Sequence, residues 1–333
     1  MKRVLALVAA VAMVAGAYVV RGGGSGGDEG TAAAGGAGSA DVLRLHCAPE
    51  LAEACGLLAA SDDRIQVEER APGRSADALV RGEELPADVW LAPRPWVELV
   101  RQLGAEGGLG APTEVLARSP LVLGAFDRSV PDCGGEPVGW RCIGDAAGEL
   151  RPGIQGLDDT EGLFTVAQAG TSFFGAEDYP SNDFETPPEG GGPPFADWAA
   201  ELLRAVPRSS FGTPLATMLR TDTATYDFAA TIEAVAVGAV DGTRQEGSFL
   251  TIYPSPMATV DVVAVAVADG DERASAELLE LVTGEVGRDA LAQARWRVEG
   301  VELEPGLDPS VVLGTEDGLP GPGVLAALRD RLG

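Results

Sequence analysis

The residues able to do chemistry are few. His46 is the sole histidine in the chain, which rules out a His-based triad and any multi-His metal site. Cysteines stand at 47, 55, 133 and 142. They allow three pairings. The local pairs Cys47–Cys55 and Cys133–Cys142 are expected, because each flanks a single turn or loop, and each would contribute roughly 2–3 kcal/mol. His46, Cys47 and Cys55 together are also a conceivable zinc set, but an exported chain favours the disulfide. Asp158 and Asp159 are adjacent, so their side chains point apart. No G-x-S-x-G elbow and no G-x-x-x-x-G-K-[ST] loop occurs. The chain is therefore expected not to be an enzyme and to carry no cofactor or metal.

Composition narrows the partners. The chain has 333 residues with a formal net charge of −27; 45% are hydrophobic and 23% charged. That is a globular composition, long enough for two α/β domains. So acidic a surface repels nucleic acid, which is excluded as a partner. It also weighs against an anionic ligand, although backbone N–H groups at helix N-termini can hold an anion locally.

The positioning elements begin at the N-terminus. Lys2 and Arg3 precede the apolar run 4–20, and Arg21 closes it. Residues 1–21 thus read as an export signal or membrane anchor. The absence of a clean small-x-small site directly after the run favours the anchor over cleavage near residues 15–17. Residues 22–40 are Gly, Ala and Ser with two acids, a flexible tether. The rest of the chain is placed outside the cytoplasm, tethered to the cell membrane, or secreted if the signal is cleaved.

Beyond the tether, strand patterns at 41–46, 65–69, 87–92 and 116–126 alternate with helix starts at 50, 76 and 96. This order predicts a parallel, doubly wound sheet with ligands outside the strand ends. Residues 151–157 read as a strand, 158–170 as a turn and helix, and 179–194 as a surface insertion rich in Pro and Gly. Residues 195–206 and 231–236 read as helices. The stretch 251–268 is the pivot: a strand ending at Tyr253-Pro254, then a nearly unbroken apolar run at 260–267 that reads as a buried strand. It is taken as the second crossing between two lobes. Residues 273–296 carry leucines at helical spacing and read as helical.

The segments LRLHCAPELAEAC, ELPADVWLAPRPWVELV and LARSPLVLGAF resemble bacterial extracellular solute-binding proteins of the type 2 periplasmic-binding fold. They look most like the branch often fused to von Willebrand factor A domains, whose metal-binding D-x-S-x-S motif is absent here. The segments around Trp140, 158–163, Tyr253-Pro254 and 295–297 extend the resemblance over about 41–331. It implies an α/β fold of two doubly wound lobes joined by two crossover strands. Lobe I is expected at 41–126 with 256–333, and lobe II at 127–255. The implied ligand contacts are Glu50, Ser75, Arg94, Ser119, Thr160, Glu161 and Tyr253. Relatives that bind oxyanions place serines where Ala48 and Pro49 stand, and acids replace hydroxyl residues around 159–161, where they either meet a neutral or cationic ligand or cap the helix. The implied function is solute binding between closing lobes, with a small-molecule ligand and an ABC importer permease as partners. The alternative is a membrane-anchored protein-interaction module with a degenerate solute-binding fold.

Overall fold

A computed structural model describes residues 42–333, apart from 131, 135–136, 178, 190, 208–211, 246 and 315–317. The signal or anchor segment 1–21 and the tether 22–40 lie outside the described residues. Among the described residues, no helix is long and apolar enough to cross a membrane.

In chain order the elements are β1 (Leu43–Cys47), α1 (Ala52–Ser61), β2 (Ile65–Glu69), α2 (Pro72–Val80), β3 (Val89–Pro93), α3 (Arg94–Gln102) and β4 (Ala117–Phe126). There follow α4 (Trp140–Asp145), β5 (Pro152–Gly153), α5 (Thr160–Phe174), α6 (Phe195–Arg204), α7 (Pro214–Thr221), β6 (Phe228–Ile232), α8 (Glu233–Val240) and β7 (Phe249–Ile252). The last elements are β8 (Thr259–Ala266), α9 (Glu272–Thr283), α10 (Glu285–Gln293) and α11 (Pro322–Leu332). Proline in the first turn starts α2 and α3, where its missing N–H costs nothing.

The strand order is β2-β1-β3-β8-β4-β6-β5, with β7 also on β4. β4 is the hinge of this order. Its residues 117–120 pair with β8, and its residues 121–126 pair with β6 and β7. One strand thus belongs to both lobes. The chain returns from β7 to β8 over six residues, 253–258, which is the second crossing. One lobe is built on β1, β2, β3, β8 and the start of β4; the other on the end of β4 with β5, β6 and β7. Residues Asp41–Gly333 form one compact unit, so the halves are in contact.

β8 is buried along almost its whole length, as its run of valines requires. Val260, Val262, Val263 and Val265 are fully buried, each contributing about 1.5–3 kcal/mol. The expectation of an all-parallel sheet is corrected: β1, β2 and β3 are parallel, but β8 runs antiparallel to both neighbours. A burial pattern reports coverage on two faces and not direction.

Other differences have local causes. Residues 228–232 form strand β6, and the helix read at 231–236 starts only at Glu233; the run Phe-Ala-Ala-Thr-Ile is too short and apolar for periodicity to separate strand from helix. Helix α7 lies where the sequence reading placed no element. The segment 179–194 is more than a surface insertion. Tyr179 and Phe184 are buried; Tyr179 packs on Phe174 and Phe195, and Phe184 on Phe195, which in turn meets Phe173 and Trp198. Both expected disulfides form, Cys47–Cys55 and Cys133–Cys142. The first ties the end of β1 to α1 and removes both thiolates that a zinc site would need.

Candidate functional site

Three expected contact residues converge where the lobes meet. Glu50 sits in the turn between β1 and α1; Thr160 and Glu161 begin α5. The Thr160 hydroxyl donates a hydrogen bond to Glu50 Oε1. Trp96 of α3 donates its indole N–H to Thr160 Oγ1 at 3.0 Å. A third link is made by the backbone: the Gly73 N–H donates to the Asp158 carbonyl at 2.9 Å. The approach is close enough that a Cβ added at Gly73 would lie 2.7 Å from the Asp158 Cα, so this position requires glycine.

Burial sets the charge state of the seam. Glu161 is buried, and Thr231 Oγ1 donates to its Oε1 at 2.5 Å. Burial pushes its carboxyl up to about 8, and the nearby Glu50 adds repulsion. Burial likewise pushes Glu50 up to about 7, against the opposing bond from Thr160. Asp159 is also raised, by burial first and then by Asp158. Asp159 occupies the N-cap position of α5, but its carboxylate makes no capping hydrogen bond. The acids here therefore do not serve as side-chain caps. A cavity of about 190 Å³ adjoins Glu50, lined by Pro49, Glu53, Ala234, Gly238 and Ala294 among others. It lies between the β1–α1 turn of one lobe and α8 of the other.

The remaining expected contacts lie apart from this group. Ser75 is fully buried and hydrogen-bonds His46 Nε2 at 2.7 Å. Burial first, and then Arg70, lowers the His46 pKa to about 4, so the imidazole is neutral at physiological pH. Ser119, on the crossing strand β4, accepts from the Ala234 N–H at 3.0 Å and so fastens the start of α8. Arg94 opens α3 and acts electrostatically on the buried Asp261. Tyr253 donates to Glu233 Oε1 at 2.6 Å.

Sequence reasoning missed Glu233 and Arg297. Glu233 is fully buried, and the Arg297 guanidinium grips it with two bonds of 2.7 and 2.8 Å. The pair joins the start of α8 to the segment after α10, 64 residues away. Only the Arg-Trp-Arg run at 295–297 hinted at it. Arg295 nearby reaches Glu53 of α1 and Asp241 at the end of α8, which makes another tie across the mouth of the cavity.

No known protein-family pattern and no curated protein matches the sequence. Solved structures do match. Iron-bound HitA from Pseudomonas aeruginosa is 15% identical, with 88% of this chain and 97% of that chain covered and a TM-score of 0.60. The ferric binding protein from Campylobacter jejuni is 13% identical, covering 87% and 99%, with a TM-score of 0.61. The periplasmic binding protein AfuA from Actinobacillus pleuropneumoniae, with fructose-6-phosphate bound, is 12% identical, covering 88% and 98%, with a TM-score of 0.60. The chain has the fold of these periplasmic binding proteins over nearly its whole described length.

Proposed function

We propose that this chain is an extracytoplasmic solute-binding protein whose lobes, 41–126 with 256–333 and 127–255, close on a small ligand and present it to an ABC importer. The observation that carries this reading is the double crossing. β4 runs through both lobes and β7 returns into β8, while Glu50 and Thr160 meet across the open side. Strands at the back can bend while polar contacts at the front part, which is the geometry of hinge closure. The two disulfides fit an oxidising compartment, and the tether 22–40 would hold the protein near its membrane partner.

Glu50, Thr160 and Glu161 are the contacts we assign to the ligand. Ser75, Arg94, Ser119 and Tyr253 hold the surrounding elements in place. In the present closed arrangement the seam residues bond to one another. Entry of a ligand requires the lobes to part, breaking the Trp96–Thr160, Glu50–Thr160 and Gly73–Asp158 contacts. The ligand then replaces direct contacts between lobes by bonds to each lobe. Carboxyls as crowded as Glu50, Asp159 and Glu161 disfavour an anion, so the ligand is neutral or cationic. The iron and the sugar phosphate named for the neighbours belong to those proteins.

A thermal-shift screen of neutral and cationic solutes tests the reading. A ligand present at about 100 times its Kd stabilises by about 2.7 kcal/mol. A clear rise in Tm with at least one solute is expected, reduced in Thr160→Val. No rise with any solute at millimolar concentration contradicts it.

A further inference from the structure

We propose that α11 is a latch, with Arg329 as its pin, which holds the two lobes together across the seam and keeps the open population low when no ligand is bound. The proposal rests on the reading that the lobes hinge. α11 is the last of the described elements, and it packs on both lobes. It lies against α3 on one side, and against α5, α6 and the turn Ser181–Glu185 on the other. Leu325 and Leu328 bury its apolar edge.

Arg329 is placed where one guanidinium can serve both lobes. Its Nη1 and Nη2 donate to the two Asp77 oxygens at 3.0 and 3.1 Å, and Asp77 belongs to α2. Nη2 also donates to Asp158 Oδ1 at 2.5 Å, and Asp158 lies just before α5. The guanidinium carbon lies 5.4 Å from the centre of the Trp96 ring. That ring itself spans the seam through its bond to Thr160. Arg331, two residues on, pairs with Glu185, which anchors the end of the helix to the second lobe.

The arrangement has a mechanical consequence. When the lobes part, Asp77 and Trp96 move with one lobe and Asp158 with the other, so Arg329 must release one side. The planar fork of arginine makes the three-way contact, which a lysine ammonium would satisfy only in part. Both aspartates are partly exposed, with side-chain exposures of 42% and 47%. Each bond is therefore modest, and the tie holds because all of them break together. An exposed ion pair with a cation–π contact corresponds to about a three- to tenfold change in an opening equilibrium.

The test labels the full chain with spin probes at Asp289→Cys in α10 and Asp197→Cys in α6, both exposed positions on different lobes. The four native cysteines are already in disulfides. Interlobe distances are measured by pulsed electron resonance without ligand. In the parent protein one short distance dominates. Arg329→Met keeps the apolar stem and is expected to raise the long-distance population about three- to tenfold, with Asp158→Asn giving a smaller rise and Arg329→Lys a partial one. A distribution in Arg329→Met identical to the parent overturns the latch. The wedge variant Gly73→Leu, whose side chain collides with Asp158, separates the two levels of the argument. If the wedge lengthens the distance and Arg329→Met does not, the latch is wrong and the hinge stands. If neither changes it, both fall. Circular dichroism of each variant establishes that it is folded.

Discussion

The back and the front of the molecule join the same two lobes in different proportions of apolar and polar contact. At the back, β4 and β8 are buried, hydrogen-bonded through their backbones and apolar except at a few positions such as the Arg118–Asp261 ion pair. At the front, charged or hydroxyl side chains make the Glu50–Thr160, Arg295–Asp241 and Arg329–Asp158 contacts, beside the Gly73–Asp158 backbone bond and a stack of the buried Trp96 and Phe164 rings, 6.1 Å apart. Apolar burial is lost when surfaces separate, because water offers nothing in return. Polar contacts are largely exchanged for contacts with water, so their net contribution is small. On the reading proposed above, the back bends without parting, and opening the front breaks the polar bonds together with the Trp96–Phe164 stack.

The sharpest way to break the comparison is at the back. Val263→Asp would place an unpaired charge in the fully buried centre of β8. A loss of at least about 4 kcal/mol is expected, read as failure to fold or a large fall in Tm. An unchanged Tm would mean that β8 is not the common core of the halves. Next in size is Arg297→Met, which strips the buried Glu233 of its guanidinium partner and leaves it the Tyr253 hydroxyl. About 3 kcal/mol of stability should be lost in denaturant unfolding. Replacing Cys47 and Cys55 together by serine should cost roughly 2–3 kcal/mol in the same measurement.

The front responds to pH, and in a defined direction. Glu50 and Glu161 have folded pKa values raised to about 7 and about 8, above the ordinary carboxylate value near about 4.3. Between that value and about 8 the folded protein binds more protons than the unfolded chain, so stability falls as pH rises. Stability should be greatest near about pH 5 and lower at about pH 8.5. Glu161→Gln should flatten this slope and stabilise the protein by about 1–3 kcal/mol at about pH 8.5, with little effect at about pH 4.5. A slope unchanged in the variant would remove Glu161 as its cause. The smallest effect is expected from Tyr253→Phe, about 1 kcal/mol, since Arg297 still holds Glu233.

How much of this was legible in the sequence follows from the range of each interaction. β2 could be placed to the residue, because the alternation at 65–69 is a local signal. β8 stood out for its valines, and both disulfides for their short spacing. The resemblance gave the order of elements, and with it the seam residues Glu50, Thr160 and Glu161. The direction of β8 was not legible, because antiparallel pairing with β3 and β4 depends on contacts far apart in sequence. Strand β6 was lost in an apolar run that suits either structure. The ties made by Arg297 and Arg329 were invisible for the same reason as the sheet direction: Arg329 meets Asp77 across 252 residues and Asp158 across 171. The buried His46–Ser75 pair shows the converse. Ser75 reads as cleft-lining from the resemblance, while its buried bond to His46 between β1 and α2 has no local signal in the sequence.

Native-state hydrogen exchange tests the central claim most directly, through two amides. The Gly73 N–H donates across the seam to Asp158, and the Val263 N–H lies within β8 at the back. The account predicts that Gly73 exchanges through an opening of the front alone, well below the free energy of global unfolding, while Val263 exchanges only on global unfolding. Exchange of both amides at the same, global free energy would contradict it.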